Sequence, residues 1–119
     1  MINFRTDLAL ERRDLFKKAN NIENEVDGLE TQEEIFDGNI KISRVKVLNE
    51  NGEQAIGKRK GTYITIDIKN LKIAGEEQIQ KASEAVTKEL KNLIGNLVGP
   101  QEDILIVGLG NLYVTPDAL

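Results

Sequence analysis

The chain has 119 residues, of which 39% are hydrophobic and 30% charged, a composition typical of one globular domain with a modest core. Its 16 basic and 20 acidic side chains give a net charge of −4, which argues against a general nucleic-acid-binding surface. No stretch reaches the roughly 20 apolar residues of a membrane span, and the amino terminus lacks the apolar centre of a secretory signal. A cytoplasmic protein that does not bind a membrane is therefore expected.

The residue types that are absent from the sequence limit the catalytic and metal sites that the chain can form. The sequence contains no histidine and no cysteine, which excludes a Ser-His-Asp triad, a Cys-His pair and histidine or thiolate metal sites within this chain. A Ser43–Lys41 dyad stays open as an alternative, since the two residues share one face of a predicted strand. Carboxylates are the favoured catalytic groups, and we expect no metal and no cofactor.

The first part of the chain is predicted to form a helix followed by a hairpin. The helix is expected over residues 6–19, with Thr6 as its N-cap. An edge strand is expected near residues 31–36, and the Asp37-Gly38 pair after it indicates a tight turn. The strands on the two sides of this turn should pair antiparallel.

In the strand predicted over residues 40–48, the apolar residues shift from even-numbered to odd-numbered positions halfway along. Its apolar residues occupy even positions and then odd positions: Ile40, Ile42, Val45 and Val47. Because alternate residues of a strand face opposite ways, a regular strand would split these side chains between two faces. A β-bulge at Ser43-Arg44 would return all of them to one core, and we expect a bulge there.

The middle of the chain predicts a strand and a long helix. A single helical turn is expected at 54–57, and the regular alternation of 61–68 predicts a strand with one buried face. A helix is expected over 76–97, ended by Gly99-Pro100. We expect this helix to pack on the sheet through a stripe of apolar residues: Ile79, Ala82, Val86, Leu90, Leu93 and Leu97.

The carboxyl-terminal segment carries the candidate site. Residues 104–107 are all apolar, which predicts a strand buried on both faces. A glycine turn and a Thr-Pro-Asp helix start follow, and they would bring a carboxylate to the edge where open α/β sheets keep their sites. The candidate residues are Gly108, Gly110, Asn111, Thr115 and Asp117. An ordinary capped helix without a catalytic role stays open as an alternative.

Together these elements predict an α/β fold with a mixed β-sheet flanked by helices. An all-apolar strand needs neighbouring strands on both sides. We therefore expect that the domain formed by residues 1–119 is incomplete in this chain.

The same terminal residues, Gly108–Asn111 followed by Val114–Leu119, resemble the signature of the germination protease family. A second match lies near the amino terminus at Phe4–Leu10. Further matching segments keep the family's order between them: 38–42, 47–50, 55–58 and 60–65. The resemblance covers nearly the whole chain, but only the amino-terminal portion of the family's length.

This resemblance implies an aspartic-type endopeptidase that degrades small acid-soluble spore proteins during germination, in the cytoplasm of the spore core and as a homotetramer. Asp117 matches the family's first catalytic aspartate, whose partner would lie beyond this chain, so these residues alone are expected to be inactive. The match at Arg5-Thr6 implies zymogen processing near that bond. Residues 1–5 would then be a short propeptide or its remnant, and residues 6–119 the amino-terminal part of the protease domain.

Two other classes stay open. The Gly-x-Gly-Asn turn followed by an acid also resembles the hydrogenase maturation endopeptidases, whose phosphorylase/hydrolase-like fold is similar to the predicted sheet. In those enzymes the acid binds a nickel-type metal together with a histidine. The Thr-Pro-Asp-Ala-Leu sequence and the amino-terminal match favour the spore family. A non-catalytic interaction domain that kept the fold is the remaining alternative.

Overall fold

A three-stranded antiparallel sheet with helices on both faces forms the fold. The computed structural model describes residues 6–69, 75–97, 99 and 101–110. The elements in chain order are α1 (Ala9–Ala19), β1 (Leu29–Asp37), β2 (Ile40–Val47), α2 (Glu50–Ile56), β3 (Gly61–Ile68) and α3 (Glu76–Leu97). The predicted α/β class is confirmed. Among the described residues, no helix combines the length and the apolar character that crossing a membrane requires.

β2 is the middle strand, and both of its faces are buried. Ile40 and Ile42 pack against α3, whereas Val45 and Val47 pack on the opposite face in the core that α1 and α2 cover. Because successive side chains of a strand point to opposite faces, the change of parity moves the buried positions from one face to the other. The register of β2 with β3 is continuous throughout. The predicted bulge at Ser43-Arg44 is therefore wrong.

The hairpin between β1 and β2 is antiparallel, as predicted, but its irregularity lies in β1. The register shifts beside Phe36, and Asp37 pairs with Ile40. The turn consists of Gly38 and Asn39 rather than of the predicted Asp37-Gly38 pair. Asp37 instead ends the strand, where its Oδ1 accepts a hydrogen bond of 2.7 Å from the Gly38 nitrogen. Such local bonds are typical of an aspartate that begins a turn.

α1 begins later than predicted. Leu8 is its N-cap, with an extended backbone (φ −75°, ψ 125°) and no capping hydrogen bond from its side chain. Thr6 Oγ1 accepts a hydrogen bond of 3.2 Å from the Leu8 nitrogen, so Thr6 orders the approach to the helix and is not its N-cap. The helix starts at Ala9, whose small side chain is buried in the core shared with Ala55 and Ile56 of α2.

α2 is longer than the predicted turn at 54–57 and has a cap at each end. Asn49 Oδ1 accepts a hydrogen bond of 3.2 Å from the Gly52 nitrogen, and Gly57 ends the helix in the left-handed region (φ 67°). Gly28 (φ 87°) lies so close to α2 that an added Cβ would be 2.3 Å from the Gly52 nitrogen. Glycine at position 28 therefore lets the loop before β1 reach α2.

α3 has the predicted bounds, but a different face packs on the sheet. Among its described side chains, the buried ones are those of Ala82, Ala85 and Glu89, at 7%, 0% and 3% exposure. The two alanines let the helix lie close to the isoleucines of β2. Three residues of the predicted stripe are 40–50% exposed: Ile79, Val86 and Leu90. The predicted stripe is confirmed at Ala82 and wrong at these three residues, since the sheet is covered by the face that carries the small residues.

The apolar segment at 104–107 is not a strand in the described structure. It lies outside regular structure, and Leu105, Ile106 and Val107 are 88%, 75% and 69% exposed. The prediction of a buried strand is wrong here because such a strand needs partner strands and covering layers, whereas the described sheet ends at β3. The Leu97 side chain and Pro100, both part of earlier predictions, lie outside the described residues.

Replacing Ile42 by alanine is expected to lower the free energy of unfolding by about 2–5 kcal/mol, because Ile42 is fully buried between the sheet and α3. Urea unfolding followed by circular dichroism measures the change. The matched control is Ile35→Ala on β1, where a side chain that is 67% exposed should alter stability by less than about 0.5 kcal/mol. Equal destabilisation by the two substitutions would contradict the assignment of Ile42 to the core.

Candidate functional site

The structure describes only the first part of the predicted carboxyl-terminal site. Gly108 and Gly110 are exposed, neither has a positive φ, and a Cβ added at either would meet no atom within 4 Å. Their described surroundings therefore do not require glycine. Asn111, Thr115 and Asp117 lie outside the described residues, and their roles stay predictions.

The predicted processing region is described from Thr6 onward, whereas Arg5 lies outside the described residues. Thr6 Oγ1 donates a hydrogen bond of 2.5 Å to Glu11 Oε2. The Thr6 carbonyl oxygen accepts one of 2.6 Å from Arg12 Nε. Two side chains of α1 thus hold the residue that follows the predicted processing bond.

A charged cluster lies between the sheet and α3, and sequence reasoning missed it. This cluster, called the Arg44 cluster below, contains Arg44 of β2, Glu34 of β1, and Lys88 and Glu89 of α3. Arg44 donates hydrogen bonds of 2.5 Å to both glutamates. Lys88 Nζ donates one of 3.0 Å to Glu34 Oε1. The cluster ties α3 to two strands of the sheet.

The electrostatics of the Arg44 cluster are those of a structural ion-pair network. The hydrogen bond from Arg44, followed by that from Lys88, holds the pKa of Glu34 below its ordinary value. The stabilisation from Glu34 is therefore complete above the ordinary glutamate pKa, and it is lost as the pH falls through the lowered folded-state pKa. The Glu89 side chain is only 4% exposed, and its Oε2 has no hydrogen-bond partner among the described residues. Arg44 is therefore the cation that makes burial of Glu89 tolerable.

The sequence does contain a signal for this cluster. Glu89 follows Ala82 and Ala85 at helical spacings of seven and four, which puts the three residues on one face of α3. Arg44 has the same parity in β2 as Ile42, so it shares the face that α3 covers. A charged residue on each of two facing buried surfaces indicates an ion pair between them. This signal can be interpreted only when the contact between these surfaces of α3 and β2 is known.

The Ser43–Lys41 alternative receives no support from the geometry. Ser43 is buried, at 3% exposure, and Lys41 Nζ lies 3.7 Å from Glu33 Oε1. Within the described part of the chain, no group of three or more histidine, cysteine, aspartate or glutamate residues is arranged to hold a metal ion.

Comparison with known proteins identifies one group of relatives. The family described as Germination protease matches residues 6–119. The chain is 46% identical over 121 residues to the germination protease of Caldanaerobacter subterraneus subsp. tengcongensis, and 42% identical over 120 residues to that of Clostridium perfringens strain ATCC 13124. It is 41% identical over 120 residues to that of Priestia megaterium. These alignments cover 100%, 100% and 97% of this chain, but 34%, 35% and 32% of the relatives. The chain thus spans about a third of the length of these curated relatives.

Replacing Arg44 by methionine is expected to lower the free energy of unfolding by about 3–5 kcal/mol, because Glu89 would stay buried without its cation. The double substitution Arg44→Met with Glu89→Leu should recover most of this loss, since it removes both charges. Urea unfolding measures both effects, with Arg59→Met at an exposed position as the control. If the single and double substitutions were equally unstable, the buried Glu89 carboxylate would not be the cause.

Proposed function

Because the chain belongs to the germination protease family, we propose that it is the amino-terminal part of an endopeptidase that degrades small acid-soluble spore proteins during germination. The observation that carries this proposal is the family match over residues 6–119, which includes every described element and the Thr115–Leu119 segment. The enzyme would work in the cytoplasm of the spore core, as a homotetramer. Neither a metal nor a cofactor is required by the chemistry proposed below.

The proposed chemistry is hydrolysis by a pair of aspartates, of which Asp117 is the first. The Asp117 carboxylate takes a proton from a water molecule, and the water oxygen attacks the carbonyl carbon of the scissile peptide. A protonated partner carboxyl then gives its proton to the departing amine as the C–N bond breaks. Two close carboxyls suit this division because their like charges separate their pKa values. We place this partner outside these 119 residues, as the family resemblance implies, so the chain alone is proposed to be inactive.

A helix start at Thr115 would favour the charged form of Asp117 and supports its assignment as the base. Unpaired N–H groups in the first turn of a helix stabilise an anion there. Thr115 is suited to the N-cap and Pro116 to the first helical position. We therefore assign Asp117 as the proton acceptor and the absent partner as the donor.

The described fold offers a route by which Asp117 would reach a sheet edge. β2 occupies one edge of β3, and no strand occupies the other among the described residues. A strand, a covering helix and a following parallel strand are almost always connected with a right-handed crossover. In the complete protein, residues 104–107 would follow α3 and, through such a crossover, add as a parallel strand to the free edge of β3, the strand that precedes α3. Gly108, Gly110 and Asn111 would then carry the chain across the carboxyl end of the sheet to Asp117.

In the complete protein, Asp117→Asn is expected to lower the rate of cleavage of a purified small acid-soluble spore protein by at least about a hundredfold, because it removes the proposed base. Gel electrophoresis of the substrate over time measures the rate, and the urea midpoint checks that the fold is kept. Asp103→Asn is the matched control, since it makes the same change at an exposed aspartate of the same segment and should leave the rate unchanged. Cleavage by Asp117→Asn at the unsubstituted rate would remove Asp117 from the mechanism.

A further inference from the structure

The guanidinium group of Arg12 joins the start of the domain to the end of α2. Its Nε donates a hydrogen bond of 2.6 Å to the Thr6 carbonyl oxygen. One terminal nitrogen donates to the carbonyl oxygens of Ile56 (3.0 Å) and Gly57 (3.3 Å), and the other to Asp7 Oδ1 (3.1 Å). All three nitrogens of the side chain are therefore engaged, two of them by backbone carbonyls.

The anchor on α2 is part of the packed core, so these bonds connect Thr6 to that core. Ile56 is fully buried, and Gly57 is held in the left-handed conformation that ends α2. The Arg12 side chain is itself only 15% exposed, although its partner Asp7 is 99% exposed. A planar guanidinium with several donors in a fixed geometry suits such a junction better than a lysine would. Arg12 thus connects Thr6 to one of the best-packed parts of the domain.

Thr6 is also held by its own side chain. Its Oγ1 donates to Glu11 Oε2 and accepts from the Leu8 nitrogen, at 2.5 Å and 3.2 Å. The backbone from Thr6 to the start of α1 is therefore fixed by hydrogen bonds, even though Leu8 is 42% exposed. Its protection comes from bonding and not from burial.

Such fixed backbone is a poor substrate for a protease. A protease binds its substrate as an extended strand that contributes backbone hydrogen bonds to the enzyme, so a folded segment must first detach locally. The bonds between Thr6 and Ala9 cannot enter a protease cleft while Arg12 holds the Thr6 carbonyl and Thr6 holds the Leu8 nitrogen. The rate of cleavage there should follow the population of the detached state.

We propose that Arg12 is a positioning residue that sets where trimming of the amino terminus stops, so that the chain is preserved from Thr6 onward. This inference rests on the germination-protease function proposed above and on the processing near the Arg5–Thr6 bond that the family resemblance implies. Arg12 does not take part in the chemistry. It makes the residues after that bond unavailable, which gives processing a defined end point.

The neighbouring Arg13 provides a matched control. It is also on α1 and half-buried, but it pairs with Glu25 and Asp14 and makes no described bond to residues 6–8. A substitution at either arginine removes one positive charge and at least one ion pair from the same helix. Only the substitution at Arg12 releases Thr6.

The first test uses the complete protein carrying Asp117→Asn, in which self-processing is removed, and thermolysin, which cleaves before large apolar residues such as Leu8. Adding Arg12→Gln is expected to speed cleavage at the Asp7–Leu8 bond by about tenfold or more, because charge-assisted hydrogen bonds are lost. Adding Arg13→Gln should leave that rate unchanged. Mass spectrometry of the fragments identifies the bond and measures its rate.

Two further readouts distinguish local release of Thr6 from a general loss of stability in a variant. The additional cleavage in Arg12→Gln must be confined to residues 6–9, and equal acceleration within β2 would overturn the proposal by indicating global unfolding. Arg12→Lys, which keeps the charge but not the planar donors, should behave like Arg12→Gln. Full protection by lysine would overturn the assignment to the guanidinium, as would identical rates for Arg12→Gln and Arg13→Gln.

The second test uses the complete protein with Asp117 intact. The unsubstituted protein should yield one processed species that begins at or close to Thr6, whereas Arg12→Gln should add species that begin later. A single identical end point in both would overturn the role of Arg12. An amino terminus that stays intact in all of these proteins would instead overturn self-processing under the proposed function, and the thermolysin rates would then decide the role of Arg12 separately.

Discussion

The burial of β2 on both faces is the constraint on which the other elements depend. Its even-numbered isoleucines need the cover of α3, and its odd-numbered valines need that of α1 and α2. A strand buried in this way must also have partners at both edges, which β1 and β3 supply. Two helical layers and three strands thus follow from one strand whose apolar residues change parity halfway along.

This parity change explains why the order of the elements could be predicted while their packing could not. Local periodicity predicts β2, β3 and the bounds of α3, because the apolar residues of these segments follow strand or helix spacings. Periodicity cannot indicate that the sheet is covered on two sides, so the change of parity in β2 predicts a bulge that the structure does not contain. The same limit applies to α3, where packing uses Ala82, Ala85 and Glu89 in place of the larger apolar residues. The ion pair between Glu89 and Arg44 depends on tertiary contact, and the sequence of α3 or of β2 alone does not indicate it.

The candidate site likewise has a part that could be predicted from sequence and a part that could not. The terminal motif around Asp117 could be identified from sequence because its residue types and spacing are specific in combination, and the family match includes it. The role of Arg12 could not be identified from sequence, since its partners at Ile56 and Gly57 are backbone carbonyls 44 and 45 residues away. Backbone acceptors leave no trace in the residue types, so only the fold reveals that α1 and α2 meet there. Thr6 was identified for its place in a motif, and the structure adds the bonds that hold it.

The exposed apolar segment at 104–107 connects the described fold to the proposed site. Its side chains are among the most exposed large hydrophobic groups of the described residues, and it follows the helix that covers the sheet beside the free edge of β3. The large exposed apolar surface supports the proposal that this segment is covered in the complete protein. Its addition to β3 is the central claim, because the route from the sheet to Asp117 depends on it.

Amide hydrogen exchange, measured by mass spectrometry on the 119-residue chain and on the complete protein, tests that claim most directly. In the short chain the amides of residues 104–107 should exchange rapidly, as expected for exposed backbone without strand partners. In the complete protein the same amides should become strongly protected, together with those on the outer edge of β3. Equally rapid exchange at 104–107 in both proteins would contradict the account, because the segment would then not be part of the sheet.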